Sequence, residues 1–153
     1  MAIEYFQIKE RDFDIVNQLA EIEMESYEGD SALSMFNLIA MLRHARVYIA
    51  WENESVIGYV YFMRSFDNFD KVFLHSINIV DTVSYPDLGV SLLNVAFSDM
   101  AASGVKVVEV NVDPTNHNAI KKYKDQLGFV PSDKIDSDLF DDGSILIMKK
   151  EIQ

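Results

Sequence analysis

The spacing of apolar residues along this 153-residue chain switches repeatedly between a period near two and a period near 3.6. IEYFQIK (3–9) predicts a first strand. Ile15, Val16, Leu19 and Ile22 then recur at helical spacing behind Asp12, which can cap a helix reaching to about Tyr27. YEGD (27–30) breaks that helix, and SALSMFNLIAMLRHA (31–45) predicts a second with a broad apolar stripe. RVYIAWE (46–52) and SVIGYVYFMRSF (55–66) are rich in β-branched and aromatic residues and are joined by Asn53-Glu54, which predicts a tight hairpin. KVFLHSINIVD (71–81) predicts another strand. Leu88, Leu92, Leu93, Ala96, Phe97 and Met100 define a helix that stops at Gly104. VKVVEVNV (105–112) predicts a strand, and Asn116 can cap a helix through about Gln126. LGFV then starts a return, and DDGSILIMKKEI gives a turn and a last strand.

The order β-α-α-β-β-β-α-β-α-β-β predicts an α/β fold: a mixed, mostly antiparallel central sheet with helices on both faces. No repeat or low-complexity linker divides the sequence, so a single domain over 1–153 is expected. Strand 71–81, helix 88–103 and strand 105–112 predict a right-handed crossover. The stretch YPDLGVSLL (85–93) therefore sits where a strand ends and a helix begins, a place where α/β sheets collect ligands.

Composition narrows the chemistry. The absence of cysteine excludes disulfides, thiolate nucleophiles and cysteine-based zinc sites. A net charge of −12, from 25 acidic and 13 basic residues, argues against a nucleic-acid binder and fits a cationic substrate. Neither a signal peptide nor a membrane span is apparent, so a cytoplasmic protein without membrane partners is expected, and the Asn53-Glu54-Ser55 sequon is then a chance match. The acidic run DKIDSDLFDDG (133–143) fails as a calcium loop: counted from Asp136, the fifth position is Phe140 and the twelfth is Ile147. It reads as an exposed loop, and no metal site is expected.

Three segments carry a resemblance to the GNAT acyltransferase superfamily. GVSLLNVAFSDMAASGVKVVEVNV (89–112) resembles the family's cofactor-binding core. NHNAIKKYKDQLGF (116–129) is similar to its Asn-x-x-Ala…Tyr…Gly-Phe segment, and YIAWENESVIGYVYF (48–62) to its central hairpin. The resemblance covers nearly the whole chain and implies an N-acetyltransferase that moves the acetyl group of acetyl-CoA to a primary amine, small and cationic or peptidyl, by direct attack in a ternary complex. A longer acyl donor is a milder variant. The family's phosphate loop, Arg/Gln-x-x-Gly-x-Gly/Ala, aligns with Ser84 at the Arg/Gln position, Asp87 at the first glycine and Gly89 at the last. Backbone N–H groups of Leu88, Gly89, Val90 and Ser91 at the helix start can still receive a pyrophosphate. Asp87 can either cap the helix or repel the ligand. That departure supports an alternative: a catalytically silent GNAT-like module that binds a ligand or a protein.

The resemblance also implies roles for individual side chains. Tyr123, four residues after Ala119, matches the tyrosine that protonates the departing thiolate, although Gly128 follows it one residue later than in the commonest pattern. A backbone N–H near Ile79 or Val80 would stabilise the oxyanion. Asn116 matches an asparagine that contacts the cofactor, and is equally a helix N-cap. His75, with an unperturbed pKa of about 6.5, is the candidate general base; Glu25, Glu28 or a water chain are alternatives. Lys121 and Lys122 could meet the anionic cofactor but read as a solvated helix face. Asp136, Asp138 and Asp141 could attract a cationic amine. The sequence leaves open whether the protein is a monomer or a homodimer.

Overall fold

The computed structural model describes residues 2–9, 11–26, 33–136 and 143–152. Among the described residues seven strands and four helices follow the predicted order: β1 (Glu4–Ile8), α1 (Phe13–Ser26), α2 (Met35–His44), β2 (Arg46–Glu52), β3 (Ser55–Arg64), β4 (Lys71–Ile79), α3 (Leu88–Ala102), β5 (Val107–Val112), α4 (His117–Lys121), β6 (Val130–Asp136) and β7 (Ser144–Glu151). The helix predicted from Asn116 to Gln126 is α4 followed by a π-helical turn, Lys122–Gln126. The chain forms two compact units, one of Met1–Met63 with Ser76–Ala96 and one of Arg64–His75 with Phe97–Gln153.

In the first unit β1, β2 and β3 form an antiparallel meander. Asn53 and Glu54, at φ of 52° and 63°, make the predicted turn, since two successive left-handed residues match the twist of a two-residue hairpin. A bulge at Ala50/Trp51 shifts the β2–β3 register, and the carbonyl of Ile57 accepts a hydrogen bond from Val80 N–H (3.0 Å). Alternation along the strands sorts the core into two layers. Val47, Ile49, Tyr59 and Tyr61 join Val16 and Leu19 of α1 and Leu38 and Leu42 of α2. Ala50 and Ile57 join Leu88 at the start of α3, with Ile79 and Tyr85 packed against them. Each large apolar side chain so buried contributes about 1.5–3 kcal/mol.

In the second unit β4 pairs with β5 in parallel over Lys71–Leu74, β5 pairs with β7, and β7 with β6, both antiparallel. Val108, Val110, Val112, Leu127, Phe129 and Met148 are buried there.

Element ends differ from the sequence expectation where a local bond intervenes. Helix α2 starts at Met35 rather than 31 because Ser34 is its cap, its hydroxyl accepting from Asn37 N–H (3.2 Å). Strand β5 starts at Val107 rather than 105 because Val105 N–H bonds back to Met100 (3.1 Å) and Lys106 N–H to Asp70 (2.7 Å). The acidic stretch expected as a loop is strand β6 up to Asp136, paired with β7. The break at 27–30 lies outside the described residues.

Candidate active site

The loop before α3 is held by its own first residue. The carboxylate of Asp81 accepts from Val83 N–H and Ser84 N–H (3.1 Å each) and from the Ser84 hydroxyl (2.7 Å). These bonds, led by the Ser84 hydroxyl, hold the Asp81 carboxyl below its usual range. Tyr85 N–H bonds to the Asp81 carbonyl (3.1 Å), and the Tyr85 hydroxyl donates to Glu52 (2.9 Å), which raises the phenol's pKa. At the helix start Leu88 N–H donates to the Tyr85 carbonyl (3.2 Å), while Ser91 N–H donates to the Asp87 carbonyl (3.1 Å) as the first helical bond. Two of the four expected phosphate donors, Leu88 and Ser91, are thus spent inside the chain. Gly89 and Val90 hold the first-turn positions that an α-helix leaves without intrahelical partners. Asp87 is exposed and supplies its carbonyl to the helix.

Behind this turn lies β4. A Cβ on Gly89 would sit 3.7 Å from Ile79 and 3.9 Å from Ile77, so these two isoleucines floor the helix start. Because Val80 N–H is committed to Ile57 of β3, Val80 is not the oxyanion donor. Strand alternation turns the N–H of Ile79 to the edge of β4 opposite β3. Of the two expected residues, Ile79 is the one whose N–H is not directed at β3.

In the second unit Asn116 caps α4: its side chain accepts from Ala119 N–H (3.1 Å), and its carbonyl accepts from Ile120 N–H (3.1 Å). The cap uses the side-chain oxygen and the backbone carbonyl, and not the amide NH₂. Tyr123 lies in the π-helical turn, and that turn absorbs the extra residue between Tyr123 and Gly128. Gly128, at φ 75°, ends the helix; its N–H reaches the Lys124 carbonyl (3.2 Å) and Phe129 N–H reaches the Tyr123 carbonyl (2.9 Å). Each bond spans one residue more than in the α-helical version of this cap, as the wider turn requires. Lys150 Nζ donates to the Leu127 carbonyl (2.6 Å) and closes the end. The Tyr123 ring packs edge-on against Phe129 (centroids 5.2 Å), and burial pushes its phenol up to about 12. At neutral pH it is protonated. Lys121 and Lys122 are exposed, lining a shallow groove of about 250 Å³ with Asn118, Asp125 and Gln126.

The model of the acetyltransferase (GNAT) family matches residues 16–129. The chain belongs to the GNAT acetyltransferase family. Solved structures agree on the fold. The ribosomal-protein-S18-alanine N-acetyltransferase from Escherichia coli superposes with a TM-score of 0.79 at 17% identity, covering 99% of this chain and 95% of its own. The aminoglycoside 6'-N-acetyltransferase from Enterococcus faecium gives 0.81 at 14% identity, over 100% and 98%. An aminoglycoside 6'-N-acetyltransferase complexed with coenzyme A gives 0.79 at 15%, over 100% and 98%. No curated protein matches the sequence.

The remaining candidates separate by exposure. His75 of this GNAT chain is exposed on β4, edge-on to the Phe73 ring (6.4 Å). Glu25 is exposed, and Glu28 lies outside the described residues. Asp136 is exposed and pairs with Lys134 (3.9 Å), while Asp138 and Asp141 lie outside the described residues. Sequence reasoning missed Glu23. It is 1% exposed and, among the described residues, is the only charged side chain in the core. Its carboxylate accepts from the Tyr59 hydroxyl (2.8 Å), which accepts in turn from the Asn78 amide (3.2 Å). The signal was available: Val16, Leu19 and Glu23 follow the i, i+3, i+7 rule, so the apolar stripe of α1 runs straight onto this glutamate. Among the described residues no helix is long and apolar enough to cross a membrane.

Proposed function

We propose that this chain is a cytoplasmic, acetyl-CoA-dependent N-acetyltransferase that acts on a primary amine, small and cationic or peptidyl, in a ternary complex. The observation that carries the reading is the opening of α3. A helix start with Gly89 and Val90 N–H unspent stands over Ile77 and Ile79, in a chain of GNAT family and fold. Membership of the family and the coenzyme A complex of a similar fold support the donor; the amine acceptors named for similar folds support the acceptor class.

In this reading Gly89 and Val90 N–H, with the helix dipole, hold the pyrophosphate. Ile79 N–H donates to the thioester carbonyl oxygen as it gains charge. The amine nitrogen bonds to the carbonyl carbon, the carbon–sulfur bond breaks, and the amine proton leaves to water or to His75. Tyr123 supplies the proton that the sulfur takes up and recovers it from solvent. Asn116 contributes its NH₂ to the cofactor. Asp81 and Asp87 oppose the phosphate through their charge, so binding rests on backbone donors.

Isothermal titration with acetyl-CoA, repeated on Asp87→Gly, tests this directly. Micromolar binding by the wild type, tightened by the glycine, is expected. Absence of binding in both proteins would favour the silent module.

A further inference from the structure

Successive residues of β4 face two different environments. Ile77 and Ile79 lie under the start of α3, whereas Asn78, on the other face, joins the hydrogen-bond chain that ends on buried Glu23. The order of donors in that chain is fixed. Tyr59 has one hydroxyl proton and gives it to the carboxylate, so its oxygen accepts from Asn78. Asn78 must therefore present its NH₂ to Tyr59, which leaves Oδ1 as the outward end of the chain. Asn78 is half-buried, while Tyr59 and Glu23 are closed off from solvent. The end of the chain remote from Glu23 is thus the carbonyl oxygen of a half-buried side chain, held in place by two buried hydrogen-bond partners. Burying a carboxyl group is costly unless its oxygens find hydrogen-bond partners, so the Tyr59 hydroxyl is held firmly in this place.

We propose that Asn78 Oδ1 is the recognition point for the acceptor amine, accepting a hydrogen bond from its nitrogen, with Tyr59 and Glu23 as positioning residues. This rests on the acetyltransferase reading above and deepens it by naming the acceptor contact. The pair of faces then separates the substrates: Ile79 presents its backbone N–H for the acyl oxygen, and the neighbouring Asn78 presents a carbonyl for the nucleophile. Glu23 acts at a distance, through Tyr59 and the orientation of the Asn78 amide. It does not touch the amine.

The test pairs steady-state kinetics with NMR of the Asn78 side-chain amide. Putrescine, alanyl-alanine amide and n-hexylamine are titrated into the full chain saturated with CoA, and turnover with acetyl-CoA is followed by thiol release. The Asn78 NH₂ resonances should shift with at least one amine. Asn78→Ala should raise the KM for that amine about tenfold, as loss of one hydrogen bond to a charged group implies, and leave the acetyl-CoA KM unchanged. Tyr59→Phe and Glu23→Gln should raise the same KM with the same selectivity, because the amide then loses its fixed orientation. A purely structural role would move both KM values or neither, and would overturn the proposal. Turnover without any shift of the Asn78 resonances would overturn it as well, while the acetyltransferase reading stands. Shifted resonances without turnover would sustain amine recognition and sink acetyl transfer. Neither turnover nor a shift would sink both.

Discussion

Removing a single hydroxyl, in Tyr123→Phe, asks most of the proposed chemistry. The ring keeps its edge-on contact with Phe129 at 5.2 Å, so packing survives and only the proton donor is lost. A positioned general acid contributes about 10²–10⁴ in rate, so kcat should fall about 100-fold or more with both KM values little changed. The same substitution has a consequence independent of catalysis. Burial raises the phenol from 10.0 to about 12. A folded value above the unfolded one gives a contribution that is whole below pH 10 and is lost as pH rises through about 12. Two pH units correspond to about 3 kcal/mol in full, of which about 2 kcal/mol is lost between pH 9 and 11.5, so the wild type should lose about 2 kcal/mol more stability than Tyr123→Phe over that range. Thiol-release kinetics at pH 7–9 and urea unfolding at pH 9 and 11.5 read the two effects separately. A kcat within the wild-type range would refute the acid role, whatever the alkaline unfolding shows. Equal alkaline losses in the two proteins would refute the burial argument.

Three further outcomes follow from the geometry. Asp81→Asn keeps an oxygen acceptor for Val83 and Ser84 N–H but removes the charge, so acetyl-CoA should bind about two- to fivefold tighter at low salt, and the gain should shrink as salt rises; titration at two ionic strengths checks it. Gly128→Ala places a Cβ at φ 75° and 3.3 Å from Lys150 Nζ, whereas Gly104→Ala, at φ 90°, meets nothing within 4 Å. Thermal unfolding should therefore show a loss of about 1–3 kcal/mol for the first and about 1 kcal/mol for the second. Gly58→Ala would bring a Cβ to 2.8 Å from Leu88 Cδ2 and 2.9 Å from Ile79 Cδ1. It should cost about 1–3 kcal/mol by urea unfolding and raise the acetyl-CoA KM more than the amine KM.

How much of this was readable in the sequence depends on whether a residue's role is local. The Asn53-Glu54 turn, the Asn116 cap and the stop at Gly104 were legible because each is decided by a few neighbouring dihedrals and one hydrogen bond. The odd spacing from Tyr123 to Gly128 was legible as a misfit, but its resolution was not: an inserted residue can fray, bulge or wind into a π turn, and here it winds into a π turn with Tyr123 packed on Phe129. The helix-start donors were half legible. Counting N–H groups finds Leu88 and Ser91, but only coordinates show that Tyr85 and Asp87 carbonyls have taken them.

Glu23 marks the limit most clearly. Sequence reasoning sought a base among the acids at the end of α1 and weighed Glu25, which is exposed. A glutamate on an apolar stripe breaks the binary pattern, and such a break is informative only once its partner is known. That partner lies 36 residues away on β3, and the next lies a further 19 residues along on β4. The chain of three spans helix, inner strand and the strand whose opposite face floors the start of α3. Local patterning places each residue in its element, yet only strand register brings Tyr59 between Glu23 and Asn78. A one-residue slip of β3 would turn Tyr59 to the face where Gly58 meets Leu88 and would leave the carboxylate without its hydroxyl. The pairing Tyr59↔Ile49, which lies beyond the bulge at Ala50/Trp51, is the register that keeps this hydroxyl on the side of α1 and Glu23.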